Sequence, residues 1–160
     1  MFETIDGIPF HPLIVHAVVA LMPLASILVL LDAVWPRFRR TVGPLPLVSA
    51  VLATISVPFA TSSGEYLQGA IGAAENPLVQ HHQALGDLML YWGLGLVVAA
   101  GLLFVVRRRV AGGSGARRVV LPVAVALAVA VSVATMVHIY RVGDSGARAV
   151  WEGVGTSALG

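Results

Sequence analysis

Apolar residues in this chain fall into four long blocks, with polar residues gathered between them. The blocks cover roughly residues 13–34, 42–60, 84–106 and 119–140. About 20 mostly apolar residues in a helix cross the hydrocarbon core of a bilayer. A segment in contact with lipid must also pair its own backbone groups, which a helix does. Each block is therefore predicted to be a membrane-spanning helix. The second block contains Pro44, Pro46 and Pro58, and the first two of these suit a helix start, where an N–H is unpaired in any case. Asp32 and Asp87 are the only acids inside the blocks, and each lies near an end.

Composition agrees with this pattern. Hydrophobic residues make up 58% of the 160 positions and charged residues only 11%, against about a quarter charged in a soluble globular domain. The chain reads as an integral membrane protein in contact with the lipid bilayer. It has no cysteine, which excludes disulfides and thiolate metal ligands. All ten basic residues are arginine, set beside apolar blocks in a pattern that does not suit nucleic acid. Eight of them lie in two connections, at positions 37, 39 and 40 and at 107–109, 117 and 118. The positive-inside rule places these connections in the cytoplasm and both termini outside, as a multi-pass protein of the plasma membrane. Trp35 and Tyr140 suit the inner and outer interfaces. The N-terminus carries Glu3 and Asp6 but no basic residue, so the first block reads as a span and not as a signal peptide. Short connections between antiparallel neighbours give an all-α, up-down-up-down, membrane-spanning four-helix bundle, with residues 1–160 as one domain. AGGSGA, at 111–116, reads as a flexible turn, and residues 63–80 leave room for a short interfacial helix. No internal repeat stands out, although the first and third spans both open on histidine.

The chemistry resides in the histidines. His11 and His16 open the first span, His81 and His82 the third, and His138 closes the fourth, so all five lie at the predicted outer end. Ionisable side chains within a span are costly and point to function. Imidazole suits haem iron, copper and zinc. His81 and His82 project about 100° apart, so only one faces the bundle centre. The His82 face continues through Gly86 and Gly93, a groove that admits either a porphyrin edge or a close-packed helix. The His16 face runs through Ala20, Leu24 and Ile27, as a core face would. A haem b clamped between His16 and His82 is the leading expectation, with His138 as substitute ligand or neighbour. A copper or zinc site drawing on His16, His82 and His138, with His11 in the same layer, is the alternative. Met136 projects about 200° from His138, which argues against a shared site. His11, before Pro12, suits a helix start, and His81 suits solvent. Asp87 could orient an imidazole, but it fits better as an anion at a helix N-terminus. Ser49, Ser56 and Ser63, seven apart, form a packing seam. No nucleophile stands beside a base and an orienting group.

HPLIVHAVVALMPLA, residues 11–25, resembles the opening signature of domain-of-unknown-function family 2231. YRVGDSGARAVW, at 140–151, is similar to that family's closing signature, and HHQALGD, at 81–87, resembles its third-span start in placing histidine before glycine. The resemblance covers about residues 10–151. It implies a four-helix membrane protein, with a loose association to membrane cytochromes and their redox partners, and His11 and His16 match its opening motif. Three functional classes follow. One is an electron-transfer protein, or a component of a membrane oxidoreductase, exchanging electrons with a quinol or a redox protein. Another is a copper- or zinc-binding membrane protein. The third is a cofactor-free accessory subunit of a membrane complex or homo-oligomer.

Overall fold

The structure, a computed structural model, describes residues 4–5, 8–109 and 117–152. A two-residue antiparallel pair, β1 (Thr4–Ile5) with β2 (Ile8–Pro9), precedes five helices. These are α1 (Phe10–Val34), α2 (Pro36–Val42), α3 (Leu45–Ala70), α4 (Pro77–Arg109) and α5 (Arg117–Trp151). All but α2 are long and apolar enough to cross a membrane. The expected helical membrane bundle is therefore present. The AGGSGA turn lies outside the described residues.

The long helices outrun the apolar blocks that predict them. α3 continues ten residues beyond position 60, and α5 continues eleven beyond 140. Between α3 and α4 only residues 71–76 are non-helical. Gly72, at φ +65°, ends α3 in the left-handed conformation that a glycine adopts without strain. The N–H groups of Gly72 and Ala73 donate back to the carbonyls of Gly69 and Gln68, which caps the helix. Asn76 then starts α4, its Oδ1 accepting from the Leu78 N–H at 2.9 Å, with Pro77 at the first helical position. No separate interfacial helix forms at 63–80, because the polar residues there continue α3 and begin α4. A short helix forms instead in the first arginine connection. It is α2, which begins at Pro36, carries Arg39 and Arg40 in its last turn and buries nothing. Trp35 and Phe38 stack there, with ring centroids 6.2 Å apart.

α1 packs on α3 and α5, and α4 packs on α5 and α3, while α1 and α4 lie on a diagonal and scarcely touch. Exchanging α1 with α4 and α3 with α5 leaves this arrangement unchanged. The buried positions obey the same exchange. Val18, Met22, Ala25 and Val29 of α1 correspond to Met89, Gly93, Leu96 and Ala100 of α4, each 71 residues on. Ala50, Ala53, Ser56, Val57 and Ser63 of α3 correspond to Ser132, Thr135, His138, Ile139 and Ser145 of α5, each 82 residues on. The chain is thus two parallel helical hairpins related by an approximate two-fold. Repeats of this kind, with an axis along the membrane normal, are a recurrent membrane architecture. The repeat is hard to see in the sequence because burial recurs at many positions while residue identity recurs at only a few, such as Ser63 and Ser145. The second hairpin's connection is also longer, by the eleven residues that separate the two offsets.

Small side chains (Ala25, Ala50, Ala53, Ala99, Ala124 and Ala128) are buried and let the backbones approach. Met22, Met89, Leu96 and Leu103 fill the remaining space. Val98, Val123, Val133 and Val137 are exposed, as a lipid-facing surface requires. Buried hydroxyls mostly return to their own helix: Ser26 donates to the Met22 carbonyl, Ser49 to Pro46, Thr54 to Ala50 and Ser56 to Ala53. Ser132 and Thr135 are 0% exposed and have no partner among the described residues. A buried unpaired hydroxyl costs about 1–3 kcal/mol. The double variant S132A/T135V is therefore expected to unfold in detergent at a higher temperature than the parent. A lower Tm would show that the two hydroxyls are satisfied by a bridging water.

Candidate functional site

One end of the bundle is built from histidine, serine and glycine. Near the start of α1, His11 reaches across to the last turns of α3. Its Nδ1 lies 3.1 Å from the Ala60 carbonyl and 3.0 Å from Ser63 Oγ. A carbonyl only accepts, so Nδ1 carries the proton and shares it with the serine oxygen. Ser63 in turn donates to the same Ala60 carbonyl at 2.9 Å. The ring rests on Gly64, where a Cβ would stand 3.0 Å from His11 Cε1. Only glycine gives the imidazole that approach.

The second hairpin repeats the arrangement. His82 of α4 donates from Nδ1 to the Val142 carbonyl at 3.2 Å and to Ser145 Oγ at 3.0 Å. Ser145 donates to Val142 at 2.8 Å, and a Cβ on Gly146 would stand 3.0 Å from His82 Cε1. Both rings are half-buried. With Nδ1 protonated, each Nε2 holds a lone pair. Among the described residues neither Nε2 makes a hydrogen bond, and neither is sealed in the interior. A backbone carbonyl on one ring nitrogen fixes the tautomer and orients the other nitrogen as a ligand.

The other histidines are placed differently from expectation. His16 was expected on a core face, yet its ring is exposed and bonded to the Pro12 carbonyl of its own helix. The apolar face of α1 that does turn inward runs through Val18, Met22, Ala25 and Val29. His16 thus turns away from the packed interior, whereas the His82 ring is half-buried. His138 is buried on α5 and donates from Nε2 to the Leu85 carbonyl of α4 at 2.9 Å. Its ring lies 5.7 Å from that of Trp92, one helical turn nearer the bundle centre than Val142. His16, His82 and His138 do not converge, and among the described residues no three His, Asp or Glu side chains are grouped to hold a metal ion. His81 is exposed, as expected. Met136 is exposed while His138 is buried, so the two do point apart.

Asp87 sits ten residues into α4, beyond the first turn where a helix dipole acts, and is exposed. The Gly86 and Gly93 groove is only half real. A Cβ on Gly93 would fall 2.8 Å from both Met22 Cε and Thr54 Oγ1, so that space is already filled by packing. Gly86 has nothing within 4 Å of its Cβ position.

The residues that sequence reasoning passed over are Ala60, Ser63 and Gly64, with Val142, Ser145 and Gly146. Their signal is present in the chain as A-T-S-S-G and V-G-D-S-G, 82 residues apart. By its seven-residue spacing Ser63 reads as part of a packing seam, and residues beyond 140 fall outside the predicted spans. The opposite end of the bundle carries a partly buried ion pair, in which Arg107 of α4 donates through Nη1 to Asp32 Oδ2 of α1. Arg107 Nη2 donates to the Ala33 carbonyl at 3.2 Å.

Neither a curated protein nor a solved structure matches the chain. The family model described as a predicted membrane protein, DUF2231, matches residues 7–158, which includes every helix and both histidine clasps. The chain belongs to the DUF2231 family of membrane proteins.

Proposed function

We propose that the protein is a haem b-binding electron-transfer protein whose axial ligands are His11 and His82. The observation that carries this reading is the duplicated clasp. Two imidazoles from diagonal helices each have Nδ1–H tied to a carbonyl and a serine, with Nε2 open. A structural histidine needs only one such link, and a lone link need not recur at the equivalent place in the other hairpin. The approximate two-fold suits a flat, nearly symmetric ligand held between equivalent donors. The residues present include two imidazoles of the kind that ligate haem iron. The residues do not fit a porphyrin edge laid in the α4 groove, because Met22 and Thr54 occupy it at Gly93.

When bound, haem iron would supply one-electron redox chemistry. The protein's own part is to fix both tautomers, hold the rings against Gly64 and Gly146, and link α1 to α3 and α4 to α5. A membrane quinol or a redox protein is the partner. We place the histidine end outside the cytoplasm, at the plasma membrane, on the strength of the arginines gathered at the other end.

The experiment is expression with ample haem, followed by visible spectra of the purified protein, oxidised and reduced. A Soret band and sharp reduced-state bands are expected. His11→Ala and His82→Ala should each lower haem content at least tenfold, and His16→Ala should leave it unchanged. A colourless parent protein, or equal haem content in the H11A/H82A double variant, overturns the assignment.

A second reading keeps the clasps but needs no cofactor: they join the helices of each hairpin, and the protein serves as an accessory subunit. It is favoured by Ser63 and Ser145, which complete each clasp within the protein. Recovery of a stable larger complex around a haem-free chain distinguishes it.

A further inference from the structure

At the arginine end a cavity of about 330 Å³ opens between the ends of α1 and α4, the start of α3 and α5. Its charged lining is Arg39, Arg107, Arg108 and Asp32. Three guanidinium groups against one carboxylate leave a net charge of +2. Arg107 already spends two nitrogens on Asp32 and Ala33, and its Nε is buried with no partner among the described residues. Arg108 lies over the Phe104 ring, 4.2 Å from its centroid. Among the described residues neither Arg39 nor Arg108 forms an ion pair.

Like charges held together beside apolar walls are costly unless an anion joins them. Arginine clusters favour phosphate, whose oxygens match the guanidinium fork. The position of the cavity narrows the source. It lies where two spanning helices end, beside the Trp35–Phe38 stack that marks an interfacial level. Leu47 and Leu121, both partly exposed, supply apolar lining. Basic pockets between spanning helices bind acidic lipid headgroups. We infer that this cavity seats the phosphate of an anionic phospholipid, held by Arg39, Arg107 and Arg108.

The test uses the full chain in a non-ionic detergent, titrated with dihexanoyl phosphatidylglycerol, dihexanoyl phosphatidylcholine or inorganic phosphate. The readout is the Tm as a function of ligand concentration. Phosphatidylglycerol should raise the Tm, and phosphatidylcholine should not, because its ammonium meets a positive site. R39Q/R108Q keeps the Arg107–Asp32 pair and should bind at least tenfold more weakly. Asp32→Asn removes the competing carboxylate and should bind more tightly, an effect that a purely structural role for these residues does not produce. An inorganic-phosphate response that equals the lipid's and disappears in R39Q/R108Q supports the site and assigns it to a soluble phosphate compound. Equal binding by the parent and R39Q/R108Q, or an equal response to phosphatidylcholine, overturns it. The haem spectrum has no part in either outcome.

Discussion

Arg107→Leu is expected to be the most damaging single substitution away from the histidines, lowering stability by about 3 kcal/mol. The figure rests on what remains behind. Removing one partner of a buried pair strands the other, a loss of about 3–5 kcal/mol for a fully buried pair. The side chains of Arg107 and Asp32 keep 17% and 14% of their exposure, which places this pair toward the low end. The topology makes the contact more consequential. The hairpins pack on each other through α1 with α5 and α3 with α4, and this bridge adds a polar link along the α1–α4 diagonal, where the helices touch little. Arg107 also satisfies the Ala33 carbonyl near the end of α1. Replacing both residues, as D32L/R107L, should recover most of the loss, because two apolar side chains strand no charge. Equilibrium unfolding in detergent–denaturant mixtures measures all three variants. A double variant as unstable as R107L would show that the stranded Asp32 is not the cause.

Gly93→Val is expected to destabilise the protein by about 2 kcal/mol, while Gly86→Ala should be neutral or stabilising. The two glycines share one face of α4 and look equivalent in the sequence. At Gly93 a Cβ would meet Met22 Cε and Thr54 Oγ1, both at 2.8 Å. Met22 is fully buried and Thr54 is held by its bond to the Ala50 carbonyl at 2.7 Å, so neither can yield without disturbing α1 or α3. Overpacking of this kind costs about 1–3 kcal/mol. At Gly86 the Cβ enters open space, and alanine gains up to about 1 kcal/mol in helix propensity over glycine. The difference in Tm between the two variants is the measurement. A G93V protein as stable as the parent would mean that α1, α3 and α4 are not packed as tightly as these contacts require.

The histidine end shows where inference from a linear pattern stops. Five histidines at one end of four spans was legible, because span order and helix direction alone place them there. The identity of the inward pair was not. His16 follows apolar neighbours and looks like part of a core face, yet α1 is apolar on almost every side, as a helix bathed in lipid is. Its inner and outer faces cannot then be told apart by hydrophobicity. His11 looked like a residue at a helix start. Its role depends on Ser63 and Gly64, 52 and 53 positions away, in a stretch that is polar enough to read as a loop.

The sequence by itself determined the number of spans, their approximate limits, the gathering of arginines at one end and histidines at the other, and membership of a membrane protein class. These follow from hydrocarbon thickness and from the cost of unpaired backbone in lipid, both of which act on each segment alone. Only the tertiary structure decided which histidines are clasped, that Asp32 meets Arg107, that Gly93 is filled and Gly86 open, and that the molecule is two matching hairpins. Those outcomes depend on how each helix is rotated about its axis. In lipid, rotation is set by close packing and by polar contacts between helices, and neither leaves a mark on a single helix that is greasy all round.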